Sequence, residues 1–399
     1  MGGPPRVPGT DSGAGEPETR HAAGLVESGP TSERRARRKR RVRALQVALS
    51  VVVVVAIFAL ILPKIASYTS VWQTISSLTW LELLTIVLAA TFNLFTYWWQ
   101  MMAALPGLTL GQAAVNNQTT TTIADILPGG GVIALGMTYA QLHSWGFTGS
   151  EIALMISTTG IWNSFMKLGL PVIALAILAI TGQATSALLI PAAIGLAILA
   201  GSLVLFALML KEKRFARAIG EGVGRAWSWI RTLLRRPPVT GWGERAVRFR
   251  KQTIKLVARR WIPLTATTVL SHLALWFVLV LALRHVGVAN HEISWAQILA
   301  VFAFARLLSA APITPGGVGL VELALIAGLY AAGRSQTNAP LDLFRAQITA
   351  AVLLYRTLTY GLQIPLGGFT YIIWRRKKSW RKPVPHEEPA PLPAAAPAP

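Results

Sequence analysis

The chain has 399 residues, 53% of them hydrophobic and only 14% charged, with a mean hydropathy of +0.50; soluble globular chains carry about 25% charged residues, so a water-soluble fold is excluded and an integral membrane protein indicated. The net charge of +22 comes from 38 Lys and Arg against 16 Asp and Glu, with 10 of the basic residues in Met1–Arg43, 15 in Lys211–Arg260 and 6 in Arg375–Lys382. Basic blocks between apolar stretches mark cytoplasmic segments and, with no aromatic-interleaved basic module, argue against nucleic-acid binding; the absence of cysteine excludes disulfides, thiolate metal sites and a Cys nucleophile.

The first 43 residues are rich in Gly, Pro, Ser and charge, a composition that cannot bury enough apolar surface to fold. They end in a basic collar, Arg34 to Arg43, directly before the apolar run Ala44 to Leu62. About 40 residues precede that run and Pro63-Lys64 follows it, so it reads as an uncleaved signal anchor with its N-terminus inside, not as a cleaved signal peptide. The collar either binds anionic headgroups or simply sets orientation.

Further spans of the ~20 residues a bilayer requires run from Leu81 to Leu105, Ile152 to Thr181, Thr185 to Leu210, Ile262 to Arg284 and Leu343 to Trp374. Trp72, Trp80, Trp98, Trp99, Trp261, Trp295 and Trp374 stand near the proposed ends, where interfacial anchors belong. The loop from Lys211 to Arg260 sets 15 basic residues against Glu212, Glu221 and Glu244. Within it Arg225, Trp227, Trp229, Ile230, Arg231, Leu233 and Leu234 suggest an amphipathic helix on the headgroups. After the basic residues from Arg375, the chain ends in a Pro/Ala-rich stretch read as disordered.

Two places share a signal. Asp125-Ile-Leu-Pro128-Gly129-Gly130-Gly-Val132 and Pro312-Ile-Thr-Pro315-Gly316-Gly317-Val-Gly319 are offset by 187 residues, with Ile, Pro, Gly and Gly coinciding. Each follows a long apolar span and precedes a short arm, Val132 to His143 or Leu320 to Ala332. Arms of this length make ~18–20 Å of helix, too short for a ~30 Å core, so each break reads as the tip of a re-entrant hairpin. Counting crossings with the N-terminus inside puts all three basic blocks on one side and gives the two units opposite orientations, as in many transporters.

The expected fold is an all-α polytopic membrane protein of inverted repeats with two re-entrant Pro-Gly-Gly hairpins. Residues 1–43 form a cytoplasmic tail, 44–210 the signal anchor and first repeat, 211–260 a cytoplasmic loop, 261–374 the second repeat and 375–399 a second cytoplasmic tail. Six full spans result, or eight or ten if the hairpin arms cross. The expected location is a plasma membrane of the bacterial inner-membrane type, with both termini cytoplasmic.

Ionisable groups at membrane depth are costly and point to function. The candidates are Asp125, Lys167, Arg306, Glu322, Arg345 and Arg356, with Asp342, Glu151 and Glu82 nearer the interfaces. Arg306 and Glu322 flank the second break and are expected to pair or to face a common polar cavity; a purely structural ion pair is the alternative. Arg356 lies in Tyr355-Arg356-Thr357-Leu358-Thr359-Tyr360, where its planar fork suits a phosphate or, alternatively, a carboxylate or carbonyl. Asp125 is either the first-repeat counterpart or a helix cap. Pro128, Gly129 and Gly130, with Pro315, Gly316 and Gly317, allow a ligand close to the backbone, and a helix starting after them points its positive end at an anion. The polar tract Asn116, Asn117, Gln118 and Thr119 to Thr122 is either a satisfied helix face or a hydrophilic groove. His272 reads as a hydrogen-bonded core residue. No catalytic, nucleotide-binding or metal motif appears, so neither catalysis nor a cofactor is expected.

The stretch Ala311-Pro312-Ile313-Thr314-Pro315-Gly316-Gly317-Val318-Gly319-Leu320-Val321-Glu322, and Leu354-Tyr355-Arg356-Thr357-Leu358-Thr359-Tyr360-Gly361-Leu362 followed by Pro365, resemble signatures of the flippase-like family, also called the lysylphosphatidylglycerol synthase transmembrane region. The resemblance spans roughly Leu81 to Trp374. In the first repeat Leu127-Pro128-Gly129-Gly130 fits, but Val132-Ile133-Ala134 replaces an expected polar or acidic residue, and Ile161-Trp162-Asn163-Ser164 stands where the family pattern has Glu-Arg. The resemblance implies lipid handling: relatives carry the region beside a soluble aminoacyl-transfer domain whose product it flips, or beside a glycosyltransferase. Here the expectation is the membrane region without such a domain, binding or translocating an anionic or modified lipid in the cavity between the repeats. The alternative is an accessory subunit whose basic segments recruit a separate synthase or glycosyltransferase.

Overall fold

Four helices begin on the same local device, a Ser or Thr whose hydroxyl accepts the backbone N–H three residues on, while a Glu or Gln there accepts the cap's own N–H. The pairs are Thr79/Glu82, Thr109/Gln112, Thr148/Glu151 and Ser294/Gln297. Each box satisfies two otherwise orphaned donors, an advantage where a helix starts near hydrocarbon.

The computed structural model describes residues 2, 67–127, 130–183, 189–233, 241–309 and 314–383. Apart from Gly2, the expected tail 1–43 and signal anchor 44–62 lie outside these residues, as do Pro128, Gly129, Pro312 and residues 384–399. The described helices are α1 (Tyr68–Ser76), α2 (Trp80–Ala104), α3 (Leu110–Ile126), α4 (Gly130–Ser144), α5 (Gly149–Ile180), α6 (Leu189–Lys211), α7 (Lys213–Leu233), α8 (Trp242–His285), α9 (Trp295–Leu308), α10 (Leu320–Gly333), α11 (Leu341–Arg356) and α12 (Gln363–Arg376). Among the described residues there is no strand.

Helices α2, α5, α8 and the segment Ala193–Lys211 of α6 are long and apolar enough to cross a membrane, in agreement with four of the expected spans. The expected span Leu343 to Trp374 is not one regular helix: α11 and α12 are joined through a π-helical turn at Thr357–Gly361. The segment Lys211 to Arg260 is largely helical, containing α7 and the first part of α8, which runs uninterrupted past Arg260 into the membrane-spanning segment. The arms beside the two breaks are short: α4 has 15 residues and α10 has 14, about 21–23 Å of helix.

Helix α8 packs along α2, α3 along α12, and α9 between α5 and α10. Because lipid is as apolar as a leucine side chain, such contacts depend on close packing and hydrogen bonds. Small residues supply the first: a Cβ on Gly328 would stand 2.7 Å from Val301, and one on Gly333 would stand 2.6 Å from Phe344. Buried polar pairs supply the second between α2 and α8, where Asn93 Nδ2 donates to the Ser271 carbonyl (2.8 Å) and Gln100 Nε2 to Thr268 Oγ1 (2.6 Å).

Candidate functional site

The second Pro-Gly-Gly break turns through backbone that favours glycine. Gly316, Gly317 and Gly319 have φ of 58°, 70° and 84°, in the left-handed region that other residues rarely enter. Gly316 is required twice, because a Cβ there would also collide with the Tyr360 ring. Gly317 is buried and donates its N–H to the Thr314 carbonyl (3.1 Å), and Pro315 opens the 3-10 turn Pro315–Gly317.

Glu322 sits in the first turn of α10 and is almost wholly buried. One carboxylate oxygen accepts the Gly319 N–H at 2.7 Å, and the other accepts Arg356 Nε at 2.7 Å. Their side chains are 4% and 14% exposed, so this is a desolvated, charge-assisted pair. Arg356 also donates through Nη2 to the Gly316 carbonyl (3.3 Å), and its guanidinium stacks 4.4 Å from the centroid of the Tyr360 ring. Tyr360 in turn donates its hydroxyl to the carbonyl of Asp125 (3.0 Å), joining the end of α3 to the turn after α11. The π turn widens the backbone between Arg356 and Tyr360; such turns often occur at functional sites.

This geometry corrects the expected pairing. Glu322 binds Arg356, not Arg306, because α11 packs along α10 and brings Arg356 to the helix start. Arg356 is therefore committed to a carboxylate and a carbonyl, the second of the two partner types the sequence allowed. Arg306, near the end of α9, has a buried Nε without a hydrogen-bond partner among the described residues, and no ion pair of Arg306 or Lys167 occurs there.

Both unpaired cations line a polar cavity of about 310 Å³. Its walls come from Asn93 and Tyr97 on α2, Asn117, Thr121 and Asp125 on α3, Lys167 on α5, Arg306 and Ser309 at the end of α9, and Gly316 with Arg356 and Tyr360. Among the described residues, Asp125 is the one carboxylate lining it. With Glu322 and Arg356 neutralising each other, Lys167 and Arg306 leave this cavity with an excess of positive charge.

The polar tract on α3 divides by face. Asn117, Thr121 and Asp125, four residues apart, turn into the cavity. Thr119 and Thr122 instead meet α12, through Thr370 Oγ1 (3.1 Å) and the Gln363 carbonyl (2.8 Å), and Asn116 donates to Gln141 on α4 (2.8 Å). Gly130 begins α4 in close contact with Ile123 and Ala124 on α3 and is not among the cavity-lining residues; Pro128 and Gly129 lie outside the described residues. His272 is buried as expected, with Nδ1 3.0 Å from the Thr268 carbonyl. Sequence reasoning named Lys167 among the membrane-depth ionisable groups without giving it a role, and did not single out Asn93 or Tyr97; the four-residue spacing of Asn117, Thr121 and Asp125 was the legible sign of the cavity face.

Two comparisons with known proteins bear on this arrangement. No curated protein matches the chain. Residues 47–367 match the family described as the lysylphosphatidylglycerol synthase TM region, a match that includes every residue of the cavity. The chain is thus an all-α, multi-pass membrane protein belonging to the lysylphosphatidylglycerol synthase TM region family.

Proposed function

We propose that the protein binds a lipid with an anionic or modified headgroup in the cavity between α2, α3, α5 and α9 and carries it across the bilayer, acting as a flippase-like transporter and not as a catalyst. The observation that carries this reading is a polar cavity lined by two cations, Lys167 and Arg306, with no ion-pair partner among the described residues and only Asp125 as a carboxylate beside them, so that positive charge is in excess. Charges at membrane depth are costly unless they meet a counter-ion or substrate, and a headgroup phosphate supplies one. Asn117, Thr121 and Asp125 offer acceptors and donors to the rest of the headgroup. The reading treats α3/α4 and α9/α10 as the two broken elements of inverted repeats, in keeping with their short arms. The proposed location is a plasma membrane, and the charge blocks support an orientation with the α7 side and both termini in the cytoplasm.

The test is translocation of a fluorescent phosphatidylglycerol in proteoliposomes, followed by quenching of the probe remaining in the outer leaflet. The wild-type protein is expected to accelerate equilibration, and Lys167→Gln with Arg306→Gln to abolish that acceleration. Equal rates in protein-containing and protein-free vesicles would overturn transport, and unaltered transport by the double variant would remove these cations from it.

A further inference from the structure

Helix α7 is divided lengthwise into three strips. Ala216, Gly220 and Gly224, one helical turn apart, form a small-residue strip buried against α8, where a Cβ on Gly224 would lie 2.9 Å from Trp242 and one on Gly220 would lie 2.5 Å from Ala246. Beside it, Phe215, Ile219, Val223 and Trp227 form a second strip at the same spacing, all exposed, with Val223 49% accessible. The remaining arc carries Arg214, Arg217, Glu221 and Arg225, of which Arg217 is held by Glu244 (2.8 Å). Trp229, 69% exposed, flanks this charged arc.

The apolar strip has no partner among the described residues, and its position identifies its occupant. Only Glu212 separates α7 from the end of α6, whose exposed Leu203, Val204, Leu205 and Leu208 belong to a segment apolar enough to span the membrane. Arg250 Nη2 donates to the Lys211 carbonyl (2.8 Å), tying the root of α7 to α8 at that level. The exposed apolar surface of α6 is thus followed, after a single residue, by the apolar strip on α7. A second copy of the chain is a poor occupant, since this segment carries 15 basic residues against three glutamates and would repel itself. A leaflet rich in anionic lipid matches both the apolar strip and the arginines on the other side of the helix.

We infer that α7 is an interfacial anchor that inserts Phe215, Ile219, Val223 and Trp227 among the headgroups of an anionic leaflet, with Arg214 and Arg225 on lipid phosphates. This does not depend on the cavity or on transport. The chain lacks cysteine, so full-length Val223→Cys and Glu221→Cys proteins can each carry one nitroxide label. Collision with oxygen and with a water-soluble nickel chelate is then compared in detergent, in phosphatidylcholine nanodiscs and in nanodiscs with equal parts phosphatidylglycerol. The label at 223 is expected to be shielded from the nickel chelate and reached by oxygen in anionic nanodiscs, while the label at 221 remains aqueous. Adding Arg214→Gln and Arg225→Gln should shift the 223 label toward water, by roughly fivefold in partitioning per arginine. Equal aqueous exposure at 221 and 223 in anionic nanodiscs overturns the proposal. Shielding at 223 that is the same in detergent and in both nanodiscs also overturns it, pointing to a protein contact.

Discussion

Arg356 and Glu322 meet at 2.7 Å across the start of α10, 34 residues apart in sequence, and the same carboxylate receives the Gly319 N–H. One ion pair thus fastens the second Pro-Gly-Gly turn to α11. Breaking a buried pair from one side leaves an uncompensated charge, which costs about 3–5 kcal/mol. Arg356→Gln and Glu322→Ala are each expected to lower the detergent melting temperature sharply, whereas the double variant Glu322→Gln/Arg356→Gln should recover part of the loss. Single variants that melt like wild type would show that the pair does not hold the turn.

Lys167→Gln and Arg306→Gln should behave in the opposite way. Each removes a membrane-depth cation that has no ion-pair partner among the described residues, so melting is expected to stay level or rise. Transport of phosphatidylglycerol should fall by at least about tenfold, the effect of ~1.4 kcal/mol. Scoring stability and transport side by side separates these two residues from the Arg356–Glu322 clamp.

Gly316→Ala forces a side chain into left-handed backbone and against Tyr360. A cost on the order of 1–3 kcal/mol follows from backbone strain alone, read as a lowered melting temperature. Tyr360→Phe keeps the ring over Arg356 and loses only the bond to the Asp125 carbonyl, about 1 kcal/mol. It should therefore be much milder than Gly316→Ala.

The proposed topology, with α7 on the cytoplasmic side, is open to a direct test. A single cysteine at Glu221, exposed on α7, should resist an impermeant thiol reagent in intact cells and react after permeabilisation. Modification of the Glu221→Cys protein in sealed cells would reverse the orientation assigned to α7.

The membrane helices were legible because twenty apolar residues can hardly be anything else, and four of the proposed spans recur as α2, α5, α6 and the second part of α8. Partner choice was not legible. Arg306 and Glu322 look paired because they flank one break, yet side-chain pairing depends on which helix returns beside α10, and that helix brings Arg356. The same limit applies to Lys167, whose isolation in sequence conceals that α5 and α9 bring it and Arg306 to one cavity. The π turn at Thr357–Gly361 falls in Thr-Leu-Thr-Tyr-Gly, where all but Leu are weak helix formers, but that composition does not distinguish a π turn from a frayed or kinked helix. On α3, Asn117 and Thr121 line the cavity while Asn116, Thr119, Thr120 and Thr122 are hydrogen-bonded away from it.

Helix α8 is 44 residues long, about 66 Å of continuous helix, and it carries Gly243 against α7 at one end and Leu275 in the cavity wall farther along. Between them lies Pro263, which removes the amide that would bond to the Arg259 carbonyl. The hydroxyls of Thr267 and Thr268 bond back to the Pro263 and Leu264 carbonyls (2.6 Å each), an arrangement that favours bending. The rod therefore has its compliant joint about 18 Å from Leu275. Pro263→Ala restores the missing amide and should stiffen the helix at this point without touching the α7 contact or the cavity wall.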